Sequence, residues 1–131
     1  MKRSVALFGE AERGGFAIPT PVKTLPELRE RLGDPPKDSV GLFLAVQFLL
    51  FRYDLTYIRV EEEGFSRGDY LRGMEELMKE ERTEPVKSIC LPGVGDPRII
   101  DSTAKVCGRR RCLIVTTERD LYDYLTAVRS K

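Results

Sequence analysis

Short runs of branched apolar residues alternate along the chain with longer stretches of helical spacing. Residues 4–8 read as a buried strand closed by Gly9. Thr24-Leu25-Pro26-Glu27 has the Thr-x-x-Glu spacing of a capping box, and Leu25, Leu28 and Leu32 share one face until Gly33 stops the helix. After Asp34-Pro35-Pro36, Asp38 or Ser39 can cap a second helix running to about Arg52. Its apolar residues surround the axis instead of forming a stripe, so it must be covered on most sides, by its own sheet or by a neighbouring subunit.

Residues 55–60 are rich in branched and aromatic side chains and predict a second strand, ended by Glu61, Glu62, Glu63 and Gly64. Ser66-Arg67-Gly68-Asp69 is another capping signal. Beyond it, Tyr70, Leu71, Met74, Leu77 and Met78 recur with the period of an amphipathic helix. Residues 86–91 predict a third strand, closed by Pro92-Gly93-Val94-Gly95, and Asp96-Pro97 places a cap and a first-turn proline. Ile99, Ile100, Thr103, Val106 and Cys107 form the buried face of that helix, and Gly108 is its expected stop. Residues 111–116 predict a fourth strand. Thr117-Glu118-Arg119-Asp120 caps a last helix expected to bury Leu121, Tyr124, Leu125 and Val128. The expected fold is a single α/β domain over residues 1–131. Its four-stranded, largely parallel sheet carries helices on both faces, in the order β-α-α-β-α-β-α-β-α with right-handed crossovers.

Composition narrows the partners. Lys plus Arg total 22 and Asp plus Glu 21, a formal net charge of +1, so no global field draws the chain to nucleic acid or an anionic membrane. The longest apolar run, residues 40–51, is too short to span a bilayer. The three cysteines, Cys90, Cys107 and Cys112, form no C-x-x-C pair, and there is no histidine, which argues against zinc and fits a reducing cytoplasm. Local charge is less even. Arg109, Arg110 and Arg111 form a basic knot, while Glu75, Glu76, Glu80 and Glu81 make one helix surface acidic, a pairing suited to contacts between copies.

The loop Gly9-Glu10-Ala11-Glu12-Arg13-Gly14-Gly15 looks like a phosphate cradle, but Pro19-Thr20-Pro21 forces an extended path before any helix can begin. Glu10 and Glu12 would also repel a phosphate. In an open parallel sheet, ligands bind beyond the carboxyl ends of the strands. An enzyme reading therefore gathers Glu10, Glu12, Glu61, Glu62 and Glu63 there around a magnesium ion, in a small magnesium-dependent or nucleotide-binding enzyme. Against it stand the lack of an Asp-x-Asp and of a lysine or arginine at a loop end. Gly93-x-Gly95 lacks the third glycine of a dinucleotide fingerprint, and a serine or cysteine nucleophile would have no histidine base. No catalytic residue, cofactor or metal is expected.

Read end to end, the chain resembles the α/β core of contractile tail sheath proteins of phages and related injection machines. The first matching segment comprises Val5-Ala6-Leu7-Phe8-Gly9, the Arg13-Gly14 loop, Pro21-Val22, the helix ending Leu32-Gly33, the apolar stretch Ala45-Val46-Gln47-Phe48-Leu49-Leu50, and Tyr57-Ile58-Arg59-Val60. The second comprises the helix around Gly73, Ile89-Cys90-Leu91 with its Pro92-Gly93 turn, and the arginine-rich entry to Leu113-Ile114-Val115. Thr116-Thr117 stands where the family tends to place an aspartate. Sheath proteins usually carry an N-terminal arm and a further domain that knit subunits together, and this sequence shows neither. The resemblance therefore implies a minimal sheath-like core: a non-enzymatic, phage- or prophage-derived structural protein in the cytoplasm that packs against protein partners, including copies of itself.

Overall fold

The computed structural model of the chain describes residues 3–79, 86–110, 112–116 and 125–126. In chain order the elements are β1 (Ser4–Gly9), β2 (Thr20–Val22), α1 (Leu25–Leu32), α2 (Gly41–Leu50), β3 (Asp54–Arg59), α3 (Arg67–Lys79), β4 (Ser88–Cys90), α4 (Pro97–Arg110) and β5 (Leu113–Val115). The sheet order is β2-β3-β1-β4-β5. Strands β3, β1, β4 and β5 run parallel to their neighbours, and β2 lies antiparallel to β3.

β1 is central because it is apolar on both sides: Val5, Ala6, Leu7 and Phe8 are all fully buried. Its alternation divides the core into two layers. Val5 and Leu7 join Leu55, Tyr57, Leu28, Leu32, Leu42 and Ala45 under α1 and α2. Ala6 and Phe8 join Ile58, Tyr70, Met74, Leu77, Ile99 and Val106 under α3 and α4. Ile99, Ile100, Thr103, Val106 and Cys107 are buried as their spacing requires, and the Thr103 hydroxyl donates to the Ile99 carbonyl at 2.7 Å.

The sheet has five strands, not four, and is mixed. The added strand is β2, in the segment whose prolines predict an extended path; Thr20 faces Tyr57 and Val22 faces Leu55. Pro21 cannot donate to a ladder, which confines it to an edge, and three residues hold too little alternation to announce a strand. At the other end of the chain, α4 runs through Gly108 to Arg110 instead of stopping at the glycine. Of the expected last helix only residues 125–126 are described; both are helical, and Leu125 is exposed rather than buried. Thr117, Glu118, Arg119, Asp120, Leu121, Tyr124 and Val128 lie outside the described residues.

The helix starts differ in what caps them. At α1, the Glu27 N–H donates to Thr24 Oγ1 at 3.2 Å, while the Glu27 carboxylate reaches back to the Lys23 N–H at 2.7 Å. Gly33 closes that helix with φ 78°. At α2 neither Asp38 nor Ser39 is the cap: Val40 holds that position with no side-chain bond, and the Ser39 hydroxyl turns back to the Pro36 carbonyl.

Candidate functional site

β1 feeds helices on one face of the sheet and the adjacent β4 feeds α4 on the other. Their carboxyl ends therefore flank the switch point at which an open α/β sheet offers a ligand crevice. The loop after β3 crosses this point. The Val60 N–H donates to the Gly9 carbonyl at 2.9 Å, the Glu63 N–H donates to Glu10 Oε2 at 2.9 Å, and Gly64 presses against the backbone of Gly93 in the loop after β4. Gly64 takes φ 87°, and a Cβ there would run into the Gly93 carbonyl. Its N–H donates to the buried Tyr70 hydroxyl at 2.7 Å.

Two of the helix N-termini on this edge, those of α2 and α4, are occupied by carboxylates of the chain itself. Glu63 accepts from the Gly41 N–H at 2.8 Å and from the Val40 N–H at 3.1 and 3.2 Å, which puts it where a phosphate would sit on α2. Burial pushes its carboxyl above the ordinary range, opposed by hydrogen bonds from the Val40, Glu10 and Gly41 backbone. Asp96 accepts from the Arg98 N–H at 2.9 Å and from Arg67 Nε at 2.7 Å. Burial raises the Asp96 carboxyl, but these bonds outweigh it and hold it below the usual value.

The remaining sequence candidates at the edge do separate tasks. Glu10 receives the Glu63 N–H, and its carbonyl accepts the Tyr57 hydroxyl at 2.7 Å. That hydroxyl lies against Gly9 and Gly41, where a Cβ on Gly9 would stand 2.8 Å from the Gly41 Cα. Burial raises the Tyr57 pKa far above that of a free phenol, so the group is a neutral donor. Glu12 accepts from the Asp34 N–H at 3.1 Å and from Arg13 at 3.2 Å, which lowers its pKa. The Glu61 N–H donates to Asp69 and the Glu62 N–H to Ser66, while both carboxylates are exposed. Among the described residues, no group of three or more Asp, Glu, Cys or His is placed to hold a metal ion.

Arg59, readable in the sequence only as an edge charge, organises the glycine loop. Its Nη1 donates to the Gly14 carbonyl at 2.6 Å, and its guanidinium lies 4.1 Å from the Phe16 ring centroid. Arg72 adds a bond to the Phe16 carbonyl at 3.2 Å. No local pattern announces these contacts, since they join residues far apart in sequence.

Two other surfaces remain open. α2 carries no charged residue, and only Leu42, Ala45 and Gly41 are buried along it. Val40, Phe43, Val46, Leu50 and Phe51 point outward, with Phe43 57%, Leu50 62% and Phe51 71% exposed. At 100° per residue these five and Gln47 share one face. A groove of about 340 Å³ between α1 and α2 continues this face, lined by Leu25, Leu28, Leu42, Phe43 and Val46. On the opposite side of the sheet, α3 and α4 flank a groove of about 700 Å³, with Glu75 and Lys79 on one wall and Lys105 and Arg109 on the other. One acidic and one basic candidate, Glu75 and Arg109, thus line the same groove of one copy. Glu76 pairs with Lys79 of its own helix at 3.5 Å. Glu80, Glu81 and Arg111 lie outside the described residues, and Arg110 is placed by its backbone alone.

No helix among the described residues is long and apolar enough to cross a membrane. No family model, curated protein or solved structure matches the chain.

Proposed function

We propose that this is a non-enzymatic structural protein that acts by packing of subunits, in the manner of the contractile tail sheath core its sequence resembles. On this reading it belongs to a phage- or prophage-derived system, works in the cytoplasm, and has copies of itself among its partners. The observation that carries the proposal is a contrast within the molecule. The edge where an α/β enzyme would bind its ligand is filled by Glu63, Asp96 and the contact between Gly64 and Gly93, whereas α2 turns an uncharged, mainly apolar face to solvent.

The occupant of that face is a second copy of the chain. The outward apolar parts of Val40, Phe43, Val46, Leu50 and Phe51 amount to roughly 500 Å², a large share of the ~800 Å² per partner that stable association buries. Phe43, Val46 and Leu50 follow the three-then-four spacing of a helix seam. Because the face is uncharged, like can meet like across a two-fold axis without repulsion. The rim between Leu25 and Arg29 on α1 adds area to the same contact.

Sedimentation equilibrium over a rising concentration series tests the reading. The expected mass climbs from 14.9 kDa towards twice that value. A strictly monomeric chain that also binds no product of neighbouring genes would overturn it.

A further inference from the structure

Two thiols at the exit of α4 play no part in the surfaces described above. Cys107 is buried on the core side of α4, and Cys112 is partly exposed just before β5. The Cys112 N–H donates to the Cys107 carbonyl at 3.1 Å, a six-to-one closure of the kind that ends helices. With the backbone folded back in this way, Cys112 Sγ comes to 2.7 Å from Cys107 Sγ. The backbone closure therefore sets the meeting of the two sulfurs. Cys90 belongs to the other apolar layer.

We propose that Cys107 and Cys112 form a dithiol site for small disulfide oxidants, closing to an intramolecular disulfide that staples the end of α4 to the start of β5. The site stands independently of the subunit-packing reading. The more exposed Cys112 loses its proton to water and attacks one sulfur of the small disulfide, whose other half leaves as a thiolate. Cys107 then gives up its proton, attacks Cys112 Sγ and expels the second small thiolate. Two protein thiols and one small disulfide become one protein disulfide and two small thiols, with two electrons passing to the oxidant. The order of attack follows from exposure: Cys112 can be reached from solvent, whereas Cys107 is buried and burial raises its thiol pKa.

The closed ring encloses Gly108 and the three arginines 109, 110 and 111. Oxidation thus ties the last turns of α4 to the start of β5, a sheet-edge strand whose Leu113 is 73% exposed. A reducing cytoplasm keeps the site open and an oxidising pulse closes it.

The test treats the full-length folded chain with excess oxidised glutathione, quenches with acid, and alkylates after denaturation for mass spectrometry. The reduced chain should take three alkyl groups, one for each cysteine. The oxidised chain should take one, on Cys90, with the mass of two hydrogens lost and no glutathione retained. Cys107→Ser should stop at a glutathione adduct on Cys112, Cys112→Ser should form no adduct at Cys107, and Cys90→Ala should keep the full transition. Circular dichroism confirms that each variant is folded, and Cys107→Ala replaces any serine variant that is not. A lasting glutathione adduct on wild-type Cys112, disulfide-linked dimers, or three free thiols after treatment would each overturn the proposal.

Discussion

Helices α2 and α3 cover opposite faces of the same central strands and are built in opposite ways. On α3, Tyr70, Met74 and Leu77 are buried while Arg72, Glu75 and Lys79 meet solvent, so the helix is complete once it lies on the sheet. On α2, Leu42 and Ala45 meet the sheet, and Phe43, Val46 and Leu50 face away from it with no charge among them. One helix is finished by its own domain; the other, on the subunit-packing proposal, is finished by a partner. Where their connecting loops meet at the carboxyl edge, the chain fills its own crevice, while the outer face of α2 stays open.

The closed edge can be broken most sharply at Gly64. Gly64→Ala combines a positive φ with a Cβ driven into the Gly93 carbonyl, and should cost about 3 kcal/mol of folding stability in urea denaturation. Wild-type stability would mean that the loop after β3 does not lie across the crevice.

A smaller loss is expected from Glu63→Ala, which leaves the N–H groups of Val40 and Gly41 without their acceptor and should cost about 2 kcal/mol. Glu63→Gln isolates the charge. The folded-state pKa of Glu63 is raised, so between the ordinary carboxylate value of 4.5 and its folded value the native state holds more protons than the unfolded chain. The stability tied to this group is therefore full below that window and falls as pH rises through it. Denaturation midpoints of the two proteins should diverge in favour of Glu63→Gln on going from pH 4 to neutrality. Parallel curves would contradict a desolvated Glu63.

Packing on the finished side gives the smallest effects. Alanine normally stabilises a helix relative to glycine by about 1 kcal/mol, yet at Gly73 its Cβ would stand 2.6 Å from the Phe8 ring and 2.9 Å from Ile58. Gly73→Ala should therefore destabilise by about 1–2 kcal/mol. Gly68→Ala, on the same helix with nothing within 4 Å, should stabilise by about 0.5 kcal/mol. Equal thermal shifts for the two would mean that α3 does not sit tightly on β1.

Much of this was legible in the sequence because its causes are local. The four parallel strands, the capping box at Thr24, the buried face of α4 and the excess of apolar residues on α2 all follow from neighbours in the chain. β2 escaped because three residues containing Pro21 carry no alternation, and its pairing depends on where β3 happens to lie. The cap of α2 escaped for a related reason: Asp38 and Ser39 satisfy the local rule, but the acceptor that wins is Glu63, 22 residues beyond Gly41. The acidic run 61–63 could be seen as a cluster at the edge, whereas its division into a helix cap and two exposed carboxylates needs the tertiary fold. Arg59 and Phe16 meet only because the glycine loop returns across β3.

A charge placed on the outward face of α2 tests that face directly. Leu50→Glu lies on a surface already 62% exposed, so folding stability should change by no more than about 0.5 kcal/mol. In sedimentation equilibrium the wild type should move from 14.9 kDa towards twice that mass as concentration rises, while Leu50→Glu stays at 14.9 kDa throughout. A wild type that remains monomeric, or a variant that associates just as the wild type does, would contradict the claim that this helix is completed by a second copy of the chain.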